Sequence, residues 1–258
     1  MSELRVDRPE EHLEVWTLQG AARRNSLSRA LVAALLEQLM ERLPRSGARA
    51  VVLTGEGESF CSGADLKERA GMSVDEVRNF IDQLGLLMDG IEQSPAVFIA
   101  ALNGSAYGGG TELALACDVR IAAADAELAL TEVSWGILPG AGGTQRLPRL
   151  VGLGLAKELI LSARRVSATE AEAIRLVNEI VPREQVLSRA TDLAGQIARN
   201  APIAVAGAKR ALNAALDLPL AEGLAYERRQ YETTIGTKDR LEGLAAFREK
   251  RKPVYRGE

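Results

Sequence analysis

Histidine is almost missing: the 258-residue chain has one, His12. A histidine base or a histidine-rich metal site is therefore close to excluded. Set beside Glu10, Glu11 and Glu14, His12 reads as an exposed strand-edge residue. Cysteine is nearly as scarce. Cys61 and Cys117 lie far apart with no C-x-x-C spacing. They read as reduced thiols of a cytoplasmic protein, with neither a disulfide framework nor a metal. Aromatic residues make up only 4%, so a core of small aliphatic side chains is expected. No apolar run approaches the ~20 residues that span a bilayer. The opening segment MSELRVDRPEEHLEV is acidic and lacks an apolar stretch, which fits neither a signal nor a transit peptide. Charge of one sign is also lacking: 32 Lys and Arg face 35 Asp and Glu, a net of −3. That balance gives no electrostatic reason to expect nucleic acid or a membrane surface as partner.

What remains is an ordinary globular composition, 47% hydrophobic and 26% charged. A chain of this length buries roughly three-quarters of its unfolded surface. Residues 13–18 and 50–54 read as strands. Leucines at 31, 35, 36, 39 and 43 recur at helical spacing, which predicts a helix over 30–43 that ends before Pro44. Glycines 55, 57 and 63 predict a loop. Ser73 and Glu76 form a capping box ahead of a helix to about Glu92, and Pro95 precedes a strand over 97–102. A third unit repeats the theme: loop NGSAYGGG, an apolar helix over 111–116 and a strand over 119–123. AGGTQRL is a Gly-rich turn into another helix. Ser167 and Glu170 suggest a second capping box, and beyond Pro182 the pattern is helical to about residue 247. Alternation followed by helices predicts an α/β core over 1–185 and a helical C-terminal subdomain over 186–258 that packs on a neighbouring subunit.

The glycine-rich segments fit no nucleotide motif. Gly108-Gly109-Gly110 lacks the Lys-Ser/Thr of a phosphate loop, and G-x-G-x-x-G is absent there and at 140–143. A glycine run entering a helix still lets backbone approach a ligand and aims free N–H groups at negative charge. A tight turn would explain it equally well. Two acids tilt the balance: Glu112 sits in an otherwise apolar helix, and Glu132 follows apolar residues 128–130. A carboxylate is costly to bury without a reason, and two beside Gly-rich turns suggest paired acid–base work.

Three segments together resemble the enoyl-coenzyme A hydratase (crotonase) family: FCSGADLKE (60–68), NGSAYGGGTELALACDVRIA (103–122) and ALTEVSWGILPGAGGTQRLPRLVG (129–152). The likeness covers nearly the whole chain, including RRNSLS near its start and AFREKRKP near its end. Within the family, GADLKERAGM and LAKELILSAR are most similar to methylglutaconyl-coenzyme A hydratases of leucine breakdown. The resemblance implies a spiral of repeated ββα units with C-terminal helices that trimerise it, two trimers often stacking as a hexamer.

It also implies a reaction. The family holds the thioester oxygen of an acyl-coenzyme A between two backbone N–H groups, which match Ala64 and Gly109. As the α-carbon gains carbanion character, charge moves onto that oxygen, and one such preorganised donor contributes about 3–4 kcal/mol. Glu112 and Glu132 match the two hydratase glutamates. Glu112 is expected to act as the base that holds water and Glu132 as the acid that protonates the α-carbon. Gly140 matches a position whose backbone helps hold the water. For the coenzyme A moiety, Lys67 matches a position near the nucleotide, within the run Ala64-Asp65-Leu66-Lys67. Arg24 is a further phosphate candidate. Phe247 and Lys250 match residues that reach the adenine and phosphates, often across a subunit boundary. Asp65 and Glu68 read as loop-shaping acids; Trp135 and Met72 are candidates to line the acyl pocket, with core packing the favoured reading. No cofactor is implied beyond the coenzyme A of the substrate, and no metal.

Other classes fit less well. Family isomerases commonly keep one such glutamate, so the pair favours hydration or dehydration over double-bond shift. A serine peptidase of the related Clp type needs a Ser-His-Asp set, and His12 lies far from any serine elbow. Some methylglutaconyl-coenzyme A hydratases bind AU-rich RNA through a lysine-rich helix. The matching helix here carries Arg29, Glu37, Glu41 and Arg42 and is not basic, which removes the grounds for that function.

Overall fold

The structure, a computed structural model, describes residues 3–258; residues 1 and 2 of the expected core lie outside the described residues. Three successive turns of chain each lay one strand in a large sheet and one in a small sheet. The first turn supplies β3 (Ala50–Gly55) and β4 (Ser59–Cys61), the second β5 (Val97–Leu102) and β6 (Ser105–Tyr107), the third β7 (Val119–Ala123) and β8 (Glu127–Ala129). Helices follow each pair. With β1 (Glu3–Glu10), β2 (Leu13–Gln19), β9 (Val166–Ser167) and β10 (Glu179–Val181), the sheet orders are β1-β2-β3-β5-β7-β10 and β4-β6-β8-β9. Pairing is parallel from β2 to β10, with Val52 opposite Ile99 and Ile99 opposite Val119. This is the expected α/β spiral of ββα units.

Continuous apolar runs such as VVL and FIAAL suit strands covered on both faces. Every residue of β3 and β5 is buried. The few aromatics are concentrated rather than absent from the core: Trp16, Phe60, Phe80 and Phe98 are all buried. Trp16 meets Phe98 edge to face at 5.3 Å between ring centres.

Several local expectations need correction. The first helix does not stop before Pro44. Arg29–Glu37 passes into a π-helical turn, Gln38–Arg42, and on through Leu43–Ser46. The Leu43 N–H donates to Gln38 O, five residues back. A wider turn gives room to the proline ring, which would otherwise meet the carbonyl four residues earlier. The loops expected at 55–63 and 103–110 contain the short strands β4 and β6, and the acidic N-terminal segment forms β1. Ser167 Oγ accepts from the Glu170 N–H at 3.3 Å, but the Glu170 carboxylate turns to Arg164 instead of completing the box. His12 sits in the turn between β1 and β2, its Nδ1 3.0 Å from Gly47 O.

Helix Val186–Ala198, expected in the C-terminal subdomain, adds Val186, Ala190, Ala194 and Ala198 to the main core. The helices beyond it, Pro202–Ala214, Leu220–Ile235 and Lys238–Glu249, leave Leu212, Leu216, Leu220, Leu224, Leu244 and Phe247 exposed. A buried side chain on the first of them is a main fastening to the core. Lys209 is buried, with its Nζ 2.8 Å from Asp118 Oδ2 and donating to Ala96 O at 2.9 Å and Ile91 O at 3.2 Å. Lys209→Met removes the ion-pair partner of the largely buried Asp118, leaving it the Phe98 N–H and the charge of Arg120, a loss of at most about 3–5 kcal/mol. Urea denaturation should show that loss, and adding Asp118→Asn should restore part of it. A loss below about 1 kcal/mol in the single variant would be inconsistent with a paired buried charge.

Candidate active site

Two loops meet where neither has a side chain in the way. The Leu27 N–H donates to Gly63 O at 2.8 Å and the Asp65 N–H returns to Leu27 O at 3.2 Å, which fixes residues 63–65 beside Leu27. Gly63 has φ +84°, and a Cβ there would lie 2.7 Å from Tyr107 O and 3.1 Å from the Gly109 nitrogen. Only glycine combines that backbone with that closeness. The second loop is tied by Thr111, whose hydroxyl shares its one proton between Ala106 O at 2.8 Å and Ala129 O at 2.9 Å. The helix starts at Gly109, two residues earlier than its sequence pattern suggests. The Ala64 nitrogen is thereby brought close to Gly109, 3.7 Å from where a Gly109 Cβ would stand. Among the described residues neither the Ala64 nor the Gly109 N–H has a protein acceptor.

Both amides border a cavity that also receives Glu112, Glu132 and Gly140. Glu112 stands on helix Gly109–Ala116 and is buried. Its Oε1 accepts the N–H groups of Ala141 and Gly143, each at 2.8 Å. Burial raises its pKa, while those two donors and Arg146 pull the other way. Glu132 opens a 3-10 turn, Glu132–Trp135, and is also buried. Neither of its oxygens has a protein partner among the described residues. Burial, followed by the charge of Glu112, pushes its carboxyl up to about 7, opposed by its own backbone N–H, which lies nearby without forming a well-aligned hydrogen bond, and by Arg69. The cavity therefore holds one anchored carboxylate, one carboxyl poised to keep a proton near neutrality, and two unengaged amides. Such a set can bind an oxygen that gains negative charge and can move protons on either side of it.

Other expected residues fall in different places. Leu66 lines the cavity. Asp65 caps the short helix Leu66–Arg69, accepting from the Lys67 and Glu68 N–H groups, and pairs with Arg23 at 2.8 Å. Burial opposes these contacts but does not outweigh them, and its carboxyl stays below the ordinary value. Glu68 pairs with Arg29 at 3.0 Å. Both acids shape the loop. Arg24, Lys67, Phe247 and Lys250 are exposed and stand outside the cavity lining. Trp135 is not a core residue: it is 65% exposed at the cavity wall, whereas Met72 packs against the core.

Sequence reasoning placed the pocket walls on the helix over 73–92 and neighbouring loops without naming Arg69, Ile81, Leu84 or Leu138, and it missed the Ala141 and Gly143 amides behind Glu112. Arg69 was in view, since it lies one residue beyond the FCSGADLKE segment. Ile81 and Leu84 lie on the amphipathic helix Val74–Gln93, where periodicity marks a buried face but not what it borders.

Residues 9–258 match the family model for enoyl-CoA hydratase/isomerase. The chain belongs to the enoyl-CoA hydratase/isomerase family. It is 49% identical over 251 residues to a Bacillus subtilis protein named as an enoyl-CoA hydratase/isomerase, covering 96% of this chain and 95% of that one. It is 44% identical over 264 residues to human mitochondrial methylglutaconyl-CoA hydratase, covering 99% and 78%. The crystal structure of an enoyl-CoA hydratase from Bacillus anthracis superposes with a TM-score of 0.96 at 50% identity, covering 99% and 100%. As a member of this family the protein is an enzyme with a crotonase fold, and no helix among the described residues is long and apolar enough to cross a membrane.

The raised Glu132 value bears on stability. Its folded-state value of about 7 lies above the ordinary 4.5. The native state thus holds a proton that the unfolded chain releases, so this carboxyl weakens folding progressively as pH rises through that interval. Above it the buried charge costs roughly 2 kcal/mol once solvent screening is allowed for. Glu132→Gln should raise Tm at pH 8 and leave it nearly unchanged at pH 4. Thermal melts with equal shifts at both pH values would contradict the raised value.

Proposed function

We propose that the protein is a hydratase/dehydratase acting across the 2,3-double bond of a short-chain enoyl-CoA, interconverting 3-methylglutaconyl-CoA and 3-hydroxy-3-methylglutaryl-CoA. The observation that carries this reading is the contrast between two carboxyl groups on one cavity: Glu112 is held by two amides and Glu132 has none. In the hydration direction the thioester oxygen accepts from the Ala64 and Gly109 N–H groups. Glu112 uses its second oxygen to hold water, with the Gly140 backbone alongside. As the water oxygen bonds to the β-carbon, its proton passes to Glu112 and the π electrons move onto the thioester oxygen. Glu132 then gives its proton to the α-carbon, and the thioester carbonyl re-forms. Glu112 ends protonated and Glu132 ionised, and exchange with solvent restores both. Dehydration is the same path reversed. The start of helix Gly109–Ala116 adds its dipole to the stabilisation of the developing oxyanion.

The acyl group is argued from Arg69. It lines the cavity within electrostatic reach of Glu132. A carboxylate at the far end of the acyl chain would give that guanidinium a partner, and 3-methylglutaconyl carries one. The 44% identity to a methylglutaconyl-CoA hydratase supports the same reading. For the nucleotide end, the reading assigns Lys67, with Arg24 nearby in the chain fold, and Phe247 and Lys250 from a neighbouring copy. The exposed apolar side chains of helices Pro202–Ala214, Leu220–Ile235 and Lys238–Glu249 support a homotrimer or a dimer of trimers. No cofactor is required beyond the coenzyme A of the substrate.

Glu112→Ala and Glu132→Ala should each lower turnover by about 10²–10⁴-fold while the protein stays folded. Near-normal hydration by either variant would remove that residue from the chemistry, and clean conversion of a 3-enoyl thioester without hydration would favour the family's isomerase reaction. Arg69→Met should raise KM for 3-methylglutaconyl-CoA by about tenfold or more and leave crotonyl-CoA hydration largely intact. Equal effects on both thioesters would argue against a carboxylated substrate.

A further inference from the structure

Arg146 stands in the first turn of helix Gly143–Val151 and is not part of the cavity wall. Its side chain is only 12% exposed. Nε donates to Glu92 at 2.9 Å, Nη2 to Asp89 at 2.8 Å, and Nη1 to Ala141 O at 3.1 Å. Its backbone N–H donates to Gly142 O at 2.8 Å. One guanidinium thus joins helix Val74–Gln93 to the turn over 140–143. Gly142 has φ +98°, and a Cβ there would collide with Nη1, so the guanidinium presses directly on the turn. The amides flanking Gly142, those of Ala141 and Gly143, are the two that hold Glu112 Oε1.

We propose that Arg146 is a positioning residue for the hydration step: it locks the 140–143 turn to helix Val74–Gln93 and so fixes the direction in which Glu112 presents its free oxygen to water. The proposal rests on the reading of Glu112 as the water-activating base. Its physical content is local. Both turn amides act on one oxygen, which leaves the other free and aimed. A left-handed glycine between the two amides makes that turn soft, and a planar group with several donors in fixed geometry can hold a carbonyl and two carboxylates at once. The same helix carries Ile81 and Leu84 into the cavity wall, so the acyl wall and the base are held in one frame. The charged groups around Glu112 are Glu132 across the cavity, Arg69 beyond it, and Arg146 behind the turn with Asp89 and Glu92 on its far side.

The test compares Arg146→Met with the double variant Asp89→Asn/Glu92→Gln, using kcat, KM and the pH profile of kcat/KM. Displacing a reacting group by about an ångström costs on the order of a hundredfold, so Arg146→Met is expected to lose about ten- to a hundredfold in kcat, with KM changed by less than about twofold. The acidic limb should move to higher pH, because Glu112 loses both a nearby positive charge and firm amide donors, while the alkaline limb set by Glu132 stays. The double variant keeps the Arg146 charge but cuts its tether, and it alters two half-exposed side chains. A tether predicts that kcat falls and the acidic limb again moves up; a bare field effect predicts unchanged kcat and a limb that moves down. Wild-type kcat with an unmoved acidic limb in folded Arg146→Met, or the field-effect pattern in the double variant, overturns the proposal. If Arg146→Met does not fold, the double variant decides alone. Glu112→Gln separates the two levels: an active Glu112→Gln enzyme refutes the base assignment itself, whereas an inactive one beside a wild-type-like Arg146→Met refutes only the positioning role.

Discussion

Gly63 lets the chain after β4 press onto residues 107–109, with a would-be Cβ only 2.7 Å from Tyr107 O. Every other feature of the cavity follows from that backbone contact. It brings the Ala64 and Gly109 amides to one place, and it starts helix Gly109–Ala116 at the cavity so that Glu112 enters on its first turn. Any side chain at residue 63 would separate the two loops, and with them the two amides. The hydrogen bonds of Thr111 to β6 and β8 hold the other half of the contact in place.

The electrostatics are built on that frame by unequal solvation of two like groups. Glu112 receives two amides from a Gly-rich turn, and Glu132 receives none. Burial raises both, but the amides hold Glu112 back. Two carboxyl groups of the same intrinsic acidity are thus both raised by burial but supported unequally, which suits a reaction that takes one proton and gives another. The turn that makes the difference is fastened through Arg146 to the helix that walls the acyl side, so wall and base share one support.

Much of this was legible in the residues. Helix Val74–Gln93 carries both its capping box and its apolar stripe in the sequence, and the continuous apolar strands β3 and β5 advertise burial on both faces. Strands β4, β6 and β8 were not legible as strands. Each is three residues long, too short for a period, and β4 and β6 lie inside glycine-containing segments that read as loops. Pro44 misled because a proline is read as a helix end, whereas here a widened π-turn accommodates the ring. For Trp135 the favoured core reading failed because aromatic residues are mostly buried, and the alternative, a place in the pocket wall, is the one the structure shows.

The sequence by itself determined the motifs that resemble the family and marked Glu112 and Glu132, and through that resemblance it implied the ββα spiral and the roles of Ala64 and Gly109. Glycine runs, caps and acids in apolar context are local features, and local features survive in a linear string. Only the tertiary structure decided which amides hold Glu112, that Glu132 is left without partners, that Arg69 faces the cavity and that Lys209 and Arg146 tie distant elements together. Those facts depend on through-space distances between segments up to about a hundred residues apart, such as Lys209 and Ala96, and no periodicity or spacing along the chain encodes a distance across it.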